Sequence, residues 1–128
     1  MDKVSPEEKL KILYVEDQEA IARLVEYKLS KEGIKVFLQY TGDGVLNKVI
    51  RTKPDLILLD LMLPVKDGLT ILEELKGNEE VKNIPVIMLS IQGEEKKIEQ
   101  AFKFGATDYI QKPFSTVELS ARIHKALA

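Results

Sequence analysis

The stretch that most constrains the fold runs from Leu56 to Asp60, where four consecutive aliphatic residues precede a carboxylate. Such a run is typical of a strand that is buried on both faces, as strands are inside a parallel sheet covered by helices. In open parallel α/β sheets, ligands and chemistry lie in the crevice at the carboxyl ends of the strands. Asp60 is therefore the first candidate functional residue, and a solubilising or helix-capping role is its alternative.

The composition excludes several kinds of site. A chain of 128 residues is typical of one domain, which buries roughly two-thirds of the surface of its unfolded chain. The net charge of −2 offers no basic surface for direct nucleic-acid binding. With no cysteine, the chain can form neither a disulfide nor a zinc-thiolate site. No apolar run approaches the length of a membrane span, so we expect a soluble, cytoplasmic domain with no membrane partner.

Strand and helix patterns alternate along the chain. Apolar runs predict strands over residues 10–15, 34–40, 56–60, 85–89 and 108–111, each followed by a helix. This alternation implies parallel strands joined by right-handed helical crossovers. The first, third and fourth strands are the most apolar and belong at the centre, whereas the second and fifth belong at the edges. The order 2-1-3-4-5 satisfies this pattern and predicts a flavodoxin-like, doubly wound α/β fold with a five-stranded parallel sheet and five helices.

The helix patterns also predict which side chains face the sheet. On the first helix these are Ile21, Leu24, Val25 and Leu29. On the fourth helix they are Ile98, Ala101 and Phe102. Asp67 is predicted to cap the third helix, and Ser115 with Glu118 to form a capping box for the fifth. Tyr14, Tyr27 and Tyr40 are interpreted as packing residues.

The predicted strand order brings polar residues together at one edge of the sheet. The residues at the carboxyl ends of the four neighbouring strands are Glu16 with Asp17, Asp60, Ser90 and Lys112. Each of them alone has an ordinary explanation, since strand-end carboxylates are often solvated, a serine can cap a helix and a lysine can extend into solvent. Four such positions together, each directly after its strand, indicate a functional crevice.

The residue types in this crevice favour a hard cation. Clustered carboxylates repel one another unless a cation or a lysine offsets their charge. A set of oxygen ligands without nearby histidine or cysteine suits Mg²⁺. A carboxylate such as Asp60, beside Mg²⁺ and Lys112, can accept a phosphoryl group without a general base because it is already ionised near neutral pH. Ser90 is placed to donate a hydrogen bond to an oxygen of that group.

These motifs together resemble the receiver domain of two-component response regulators, including chemotaxis regulators. The matching segments are residues 15–17, 59–64 with 67–68, 89–90, 105–109 and 112–114. The resemblance covers nearly all of residues 10–127. It implies a receiver domain over residues 10–128, preceded by an amino-terminal extension over residues 1–9.

The resemblance implies a function and a metal site. Asp60 would accept a phosphoryl group from a histidine kinase or a phosphotransfer protein in a Mg²⁺-dependent reaction. Asp17, Asp60 and the backbone carbonyl of Met62 would bind Mg²⁺, and Glu16 would act through water. The phosphorylated form would change partner binding through the face formed by helix 4, strand 5 and helix 5. Such a domain is not an enzyme in the usual sense, although it catalyses its own aspartyl phosphorylation and slow dephosphorylation.

Further residues match the positions at which members of this family respond to the phosphoryl group. Lys112, Ser90 and Tyr109 match its switch positions, and the bond from Lys112 to Pro113 is expected to be cis. Three residues are expected to tune access to the phosphoryl group and its lifetime: Met62, Ile91 and Gln92. Ile91 departs from the family pattern, in which the residue after the hydroxyl is usually small.

Two other functions are alternatives to this one. A receiver-like scaffold that works without phosphorylation should lack the acceptor, the acidic pair or the lysine, and all are present. A flavodoxin-like small-ligand protein needs a phosphate-binding loop after the first strand, where Glu16 and Asp17 have the wrong charge. His124 is the only histidine, and near the end of the last helix its cation would simply suit the helix dipole.

Overall fold

Five strands alternate with five helices in the computed structural model, which describes residues 9–128. The strands are β1 (Lys11–Val15), β2 (Lys35–Gln39), β3 (Leu56–Asp60), β4 (Val86–Ser90) and β5 (Asp108–Gln111). The helices are α1 (Glu19–Ser30), α2 (Val45–Thr52), α3 (Gly68–Lys76), α4 (Glu95–Lys103) and α5 (Thr116–Leu127). Apart from Lys9, the predicted amino-terminal extension lies outside the described residues.

The strands form one parallel sheet in the order β2-β1-β3-β4-β5, which confirms the predicted flavodoxin-like α/β fold. The register determines which residues meet at the carboxyl edge. Val15 pairs with Leu59, so that Glu16 follows β1 at the level of Asp60. Ser90 pairs with Gln111, which places Lys112 one residue beyond it. The strand ends that the sequence singles out therefore lie along the same edge of the sheet.

The hydrophobic core has two layers, one on each face of the sheet. Because successive side chains of a strand point to opposite faces, Leu13 and Leu59 contribute to one layer and Ile12 and Leu58 to the other. The first layer is closed by α2, α3 and α4. The second layer is closed by α1 and α5. The central strands β3 and β4 are buried along their whole length, as their continuous apolar runs predict.

The predicted buried faces of two helices are partly wrong. Leu24 is 55% exposed and Ile21 is also exposed, because the residues of α1 that face the sheet are Ala22, Val25 and Leu29. In this first turn the buried residue is Ala22 and not its neighbour Ile21. In α4, Phe102 is likewise exposed and its ring packs edge-on against Tyr109, with the ring centroids 6.1 Å apart.

Of the three tyrosines predicted to be packing residues, two are packed in the core and one is not. Tyr14 is fully buried in the layer beneath α1 and α5, and Tyr40 is partly buried against that layer. Tyr27 is exposed, so its interpretation as a packing residue is wrong. The ammonium of Lys31 lies 4.8 Å from its ring centroid, which is a cation–π distance.

The predicted helix caps are present. A side-chain oxygen of Asp67 accepts a hydrogen bond from the Thr70 amide at 2.9 Å, and the Ser115 hydroxyl accepts one from the Glu118 amide at 3.0 Å. Each cap satisfies a backbone donor that has no partner within the helix. Within residues 9–128, no helix is both long enough and apolar enough to cross a bilayer.

Candidate functional site

The ammonium of Lys112 joins two of the predicted carboxylates. Its Nζ atom lies 2.5 Å from Oδ2 of Asp60 and 2.7 Å from Oε1 of Glu16. Glu16 is completely buried and Asp60 is 4% exposed, so these ion pairs are little screened by solvent. The backbone amide of Lys112 donates to the Ser90 carbonyl at 2.6 Å, and the following bond to Pro113 is cis, as predicted. The hydrogen bond to Ser90 and the two ion pairs hold the lysine over the ends of β1 and β3.

The backbone around Asp60 holds its carboxylate in one orientation. Oδ1 of Asp60 accepts a hydrogen bond from the Met62 amide at 3.1 Å, while Oδ2 is bound by Lys112. The intervening residue, Leu61, donates its amide to the Leu89 carbonyl at 2.9 Å and so continues the pairing of β3 with β4. The carboxylate of Asp60 thus has a polar partner on each oxygen.

Glu16 has partners that the sequence analysis did not identify. The Tyr14 hydroxyl donates to Oε1 of Glu16 at 3.1 Å, and the Gln18 amide donates to Oε2 at 3.2 Å. Tyr14 is therefore a packing residue, as expected, and also a neighbour of the site. A signal for this contact was available, because residues two apart in a strand share a face.

The three acidic residues form a cluster that fits a hard cation. Glu16, Asp17 and Asp60 each offer a carboxylate oxygen, and these three oxygens lie within 4.8 Å of one another. Asp17 is exposed, whereas the other two are buried. An all-oxygen donor set with an exposed member suits Mg²⁺, which binds through one or two carboxylates and keeps several waters. The geometry of the cluster is that of an acidic pocket for such an ion.

The charges in the pocket shift the pKa values of its groups. Burial raises the pKa of Asp60 to about 6 and the charge of Glu16 adds to the effect, although the hydrogen bond and charge of Lys112 oppose it. Burial also acts to raise the pKa of Glu16, but hydrogen bonds from Lys112 and Gln18 outweigh it, so that this pKa is lowered. Burial acts to lower the pKa of Lys112, and its bonds to both carboxylates raise it overall. Of the two buried carboxylates, Asp60 and Glu16, Asp60 is thus the one whose negative charge is less stabilised.

Ser90 and Tyr109 line one cavity beside the acidic pocket. Ser90 is buried at the end of β4, and a cavity of about 230 Å³ opens next to it, between the start of α4 and β5. Tyr109 also borders this cavity, but its side chain is 38% exposed and packs against Phe102. The two predicted switch residues therefore share a space that the tyrosine ring does not fill.

The three residues predicted to tune access to a phosphoryl group on Asp60 are all exposed: Met62, Ile91 and Gln92. Ile91 borders the cavity next to Ser90 and also a larger apolar groove that reaches Lys112. The Sδ atom of Met62 lies 3.6 Å from the ammonium of Lys97 on α4. Ile91 therefore lies at the edge of both spaces, and Met62 lies beside α4.

The loop between β3 and α3 makes a sharp turn close to Asp60. The Lys66 amide donates to the Pro64 carbonyl at 2.9 Å, and Val65 between them has φ of +74°. This bond and dihedral angle correspond to a γ-turn, a strained conformation for a β-branched residue. Gly42 packs against the same loop, where a Cβ atom would lie 1.9 Å from the Lys66 carbonyl oxygen. This contact has no recognisable signal in the sequence.

His124 lies outside the site. It is exposed on the last turn of α5, where its Nδ1 atom lies 2.8 Å from the Ser120 carbonyl oxygen. The interpretation of this histidine as a surface residue near a helix end agrees with its position.

Comparison with known proteins identifies the family. The profile of the response regulator receiver domain matches residues 12–124. The chain belongs to the response regulator receiver domain family. The match is to the family as a whole, and the resemblance to chemotaxis regulators stays a prediction.

Solved structures of receiver domains are similar to this chain over nearly its whole length. A putative response regulator from Chloroflexus aurantiacus J-10-fl has a TM-score of 0.87 at 30% identity, with 93% of this chain and 98% of that chain covered. The receiver domain of NtrX from Brucella abortus has a TM-score of 0.83 at 34% identity, with coverage of 91% and 97%. The BeF3-activated receiver domain of RstA from Klebsiella pneumoniae has a TM-score of 0.84 at 34% identity, with coverage of 91% and 97%.

Proposed function

We propose that this receiver domain is a signalling switch in which Asp60 accepts a phosphoryl group in a Mg²⁺-dependent reaction. The observation that carries the proposal is the placement of Lys112, whose Nζ atom lies within 2.7 Å of carboxylate oxygens of both Glu16 and Asp60. This lysine and the acidic cluster meet at the carboxyl ends of parallel strands, where α/β folds carry out their chemistry.

The proposed reaction transfers the group from a phosphohistidine on a histidine kinase or a phosphotransfer protein. A carboxylate oxygen of Asp60 attacks the phosphorus atom, so that an O–P bond forms while the P–N bond to the imidazole breaks. The departing imidazole nitrogen keeps the electron pair and takes up a proton. Asp60 needs no general base, since its pKa of about 6 leaves it mostly ionised near neutral pH.

The residues proposed to hold Mg²⁺ are Asp17, Asp60 and the Met62 backbone carbonyl, with Glu16 acting through water. Bound Mg²⁺ supplies positive charge that offsets the carboxylates and the oxygens of the transferred group. Lys112 adds a second positive charge from within the protein, and its ion pair with the buried Glu16 keeps it at the site. The exposed residues Met62, Ile91 and Gln92 are proposed to set how easily donors and water reach Asp60.

The proposed response to phosphorylation uses Ser90, Lys112 and Tyr109. Ser90 donates a hydrogen bond to a phosphoryl oxygen while Lys112 pairs with another, and the Tyr109 ring moves into the cavity beside Ser90. Inverting a 1:99 equilibrium requires about 5.5 kcal/mol of differential binding. Hydrogen bonds to charged groups contribute about 1.5–3 kcal/mol each, so these two contacts supply most of it. The face formed by α4, β5 and α5 then changes its shape for a downstream protein.

The experiment that tests this function is labelling with a small acyl phosphate donor in the presence of Mg²⁺. The wild-type chain should gain a phosphoryl group that is stable in acid and labile in base, and a chelator should prevent the gain. Asp60→Asn should not be labelled. Asp67→Asn is the matched control, because it changes an exposed carboxylate in the same loop and keeps a capping side chain. Labelling of Asp60→Asn at the wild-type rate would contradict the proposal and favour a scaffold that works without phosphorylation at Asp60.

A further inference from the structure

We propose that Glu94 is a positioning residue of the switch, and that its carboxylate accepts a hydrogen bond from the Tyr109 hydroxyl when the Tyr109 ring enters the cavity beside Ser90. This inference rests on the proposed function, because it concerns the conformation that phosphorylation of Asp60 selects. Glu94 immediately precedes α4 and borders the same cavity as Ser90 and Tyr109.

The carboxylate of Glu94 holds an acceptor that lacks a donor. Among the residues that the structure describes, its Oε1 atom is a buried side-chain oxygen without a hydrogen-bond partner. The side chain as a whole is only 19% exposed. The ammonium of Lys97 lies 3.5 Å from Oε1, which gives this oxygen a nearby opposite charge but no hydrogen bond. A buried acceptor without a donor is unfavourable, so a conformation that brings a donor to it is stabilised.

Tyr109 can supply that donor by turning its side chain alone. Its backbone is held by pairing with Met88 in β4 and by the Arg122 guanidinium, which donates to the Tyr109 carbonyl at 3.2 Å. No hydrogen bond joins its hydroxyl to another of the residues 9–128 in the conformation observed. The ring therefore exchanges an edge-on contact with Phe102 for the cavity that Glu94 also borders.

The proposed hydrogen bond between Tyr109 and Glu94 would couple phosphorylation of Asp60 to the position of α4. The Glu94 carbonyl accepts the first backbone hydrogen bond of this helix, from the Ile98 amide at 3.0 Å. A hydroxyl from β5 bound to the Glu94 side chain thus ties β5 to the start of α4. Because Ser90, Tyr109 and Glu94 border one cavity, a movement of Ser90 toward the phosphoryl group makes room for the contact.

The sequence did not point to this role, because Glu94 belongs to a run of charged residues whose sequence is typical of a solvated helix face.

The test is a double-mutant cycle on the response to Mg²⁺ with beryllofluoride, which mimics the phosphoryl group. The apparent affinity is measured by NMR from the titration of the aromatic signals of residue 109. By linkage, any contact made only in the inward conformation strengthens this affinity. We expect Glu94→Ala and Tyr109→Phe each to weaken it about tenfold. The double variant should be no weaker than either single variant, because both changes remove the same hydrogen bond.

Two further variants test whether the acceptor oxygen of Glu94 causes the loss of affinity. Glu94→Gln keeps an acceptor oxygen without the charge and should show an intermediate loss. Glu99→Gln changes an exposed carboxylate that borders the same cavity, and its affinity should equal that of the wild type. Additive losses in the cycle, or an equal loss in Glu99→Gln, would overturn the assignment of Glu94 as the acceptor.

The failure of this inference is distinguishable from the failure of the proposed function. Each variant is also labelled with the acyl phosphate donor, and all should gain the acid-stable group, because neither Glu94 nor Tyr109 contacts Asp60. Wild-type labelling together with an unchanged affinity in Glu94→Ala and Glu94→Gln would overturn only the inference. Absence of labelling in the wild type would overturn the proposed function, and with it the switch on which this contact depends.

Discussion

Gly68, the first residue of α3, packs directly against the backbone of Asp60. A Cβ atom at this position would lie 2.3 Å from the Asp60 carbonyl oxygen and 2.8 Å from the Cα atom of Leu61. The Gly68 amide also donates to the Leu61 carbonyl at 2.9 Å. Since both close contacts are with backbone, no side-chain rotation can relieve them. The position requires glycine so that the helix can lie against the end of the strand that carries the candidate acceptor.

The first prediction concerns this contact. Gly68→Ala should displace α3 from Asp60, destabilise the fold by about 1–3 kcal/mol and slow phosphorylation. Chemical denaturation and the rate of labelling measure the two effects. Gly77→Ala, at the other end of the same helix, is the control, because its nearest contact would be 3.3 Å. It should cost less stability and leave the labelling rate unchanged, and equal effects of the two substitutions would contradict the explanation.

The second prediction concerns the metal site. Asp17→Asn should weaken Mg²⁺ binding about tenfold or more, because a hydrated site that loses one of two direct carboxylates keeps little protein ligation. The loss of a repelling charge should at the same time stabilise the metal-free fold. A Mg²⁺ titration followed by NMR measures the first effect. Asp43→Asn, an exposed carboxylate outside the acidic cluster, is the control. An unchanged titration in Asp17→Asn would exclude Asp17 as a ligand.

The third prediction concerns pH. The pKa of Asp60 is raised from 3.8 to about 6 by folding, so the stability contributed by its bound proton is complete below about pH 4 and is lost as the pH rises through 6. Asparagine at position 60 carries no charge, so the variant does not lose stability in this way as the pH rises. With a chelator present at about pH 8, the variant should be more stable than the wild type by on the order of 1–3 kcal/mol. The difference should shrink toward pH 4.

Denaturation curves across this pH range, with Asp67→Asn as the control, measure that difference. A gain that stays constant with pH would show that Asp60 does not titrate in this window. Addition of Mg²⁺ should narrow the gap at high pH, because it binds the folded wild-type chain more tightly than the variant.

The fourth prediction concerns access to Asp60. Ile91 is 55% exposed and borders the groove that reaches Lys112. If its branched side chain hinders small donors, Ile91→Ala should speed labelling by roughly two- to fivefold. Hydrolysis of the product should accelerate as well. Val117→Ala, an exposed position on α5, serves as the control. An equal or slower rate in Ile91→Ala would refute the shielding role.

Much of the fold follows from the sequence because its signals are local and strong. Continuous apolar runs predict the buried strands β3 and β4, and the polar residues in β2 and β5 predict the edges. The strand order then places Glu16, Asp60 and Lys112 at one edge, where the structure has their side chains in contact. The rule that carries this prediction is one of topology, so it holds without any knowledge of side-chain packing.

The sequence could not predict features that depend on three-dimensional packing. The buried face of α1 is formed by Ala22, Val25 and Leu29, and the apolar periodicity did not single out Ala22, so that Leu24 was placed on the wrong face. The spacing of Tyr14 and Glu16 indicates that they share a face, but it does not show that the hydroxyl reaches the carboxylate. Nothing in the sequence distinguishes Glu94 from the other residues of its charged run. Its unpartnered oxygen and the cavity that it borders are seen only in the structure.

Locating the modified residue shows whether Asp60 is the phosphoacceptor. After labelling with Mg²⁺ and an acyl phosphate donor, reduction with borohydride converts an aspartyl phosphate into homoserine, which peptide mass spectrometry then locates. We expect homoserine at position 60 in the wild type and no conversion in Asp60→Asn. Conversion at Asp17, or a phosphoryl group found on His124, would contradict it.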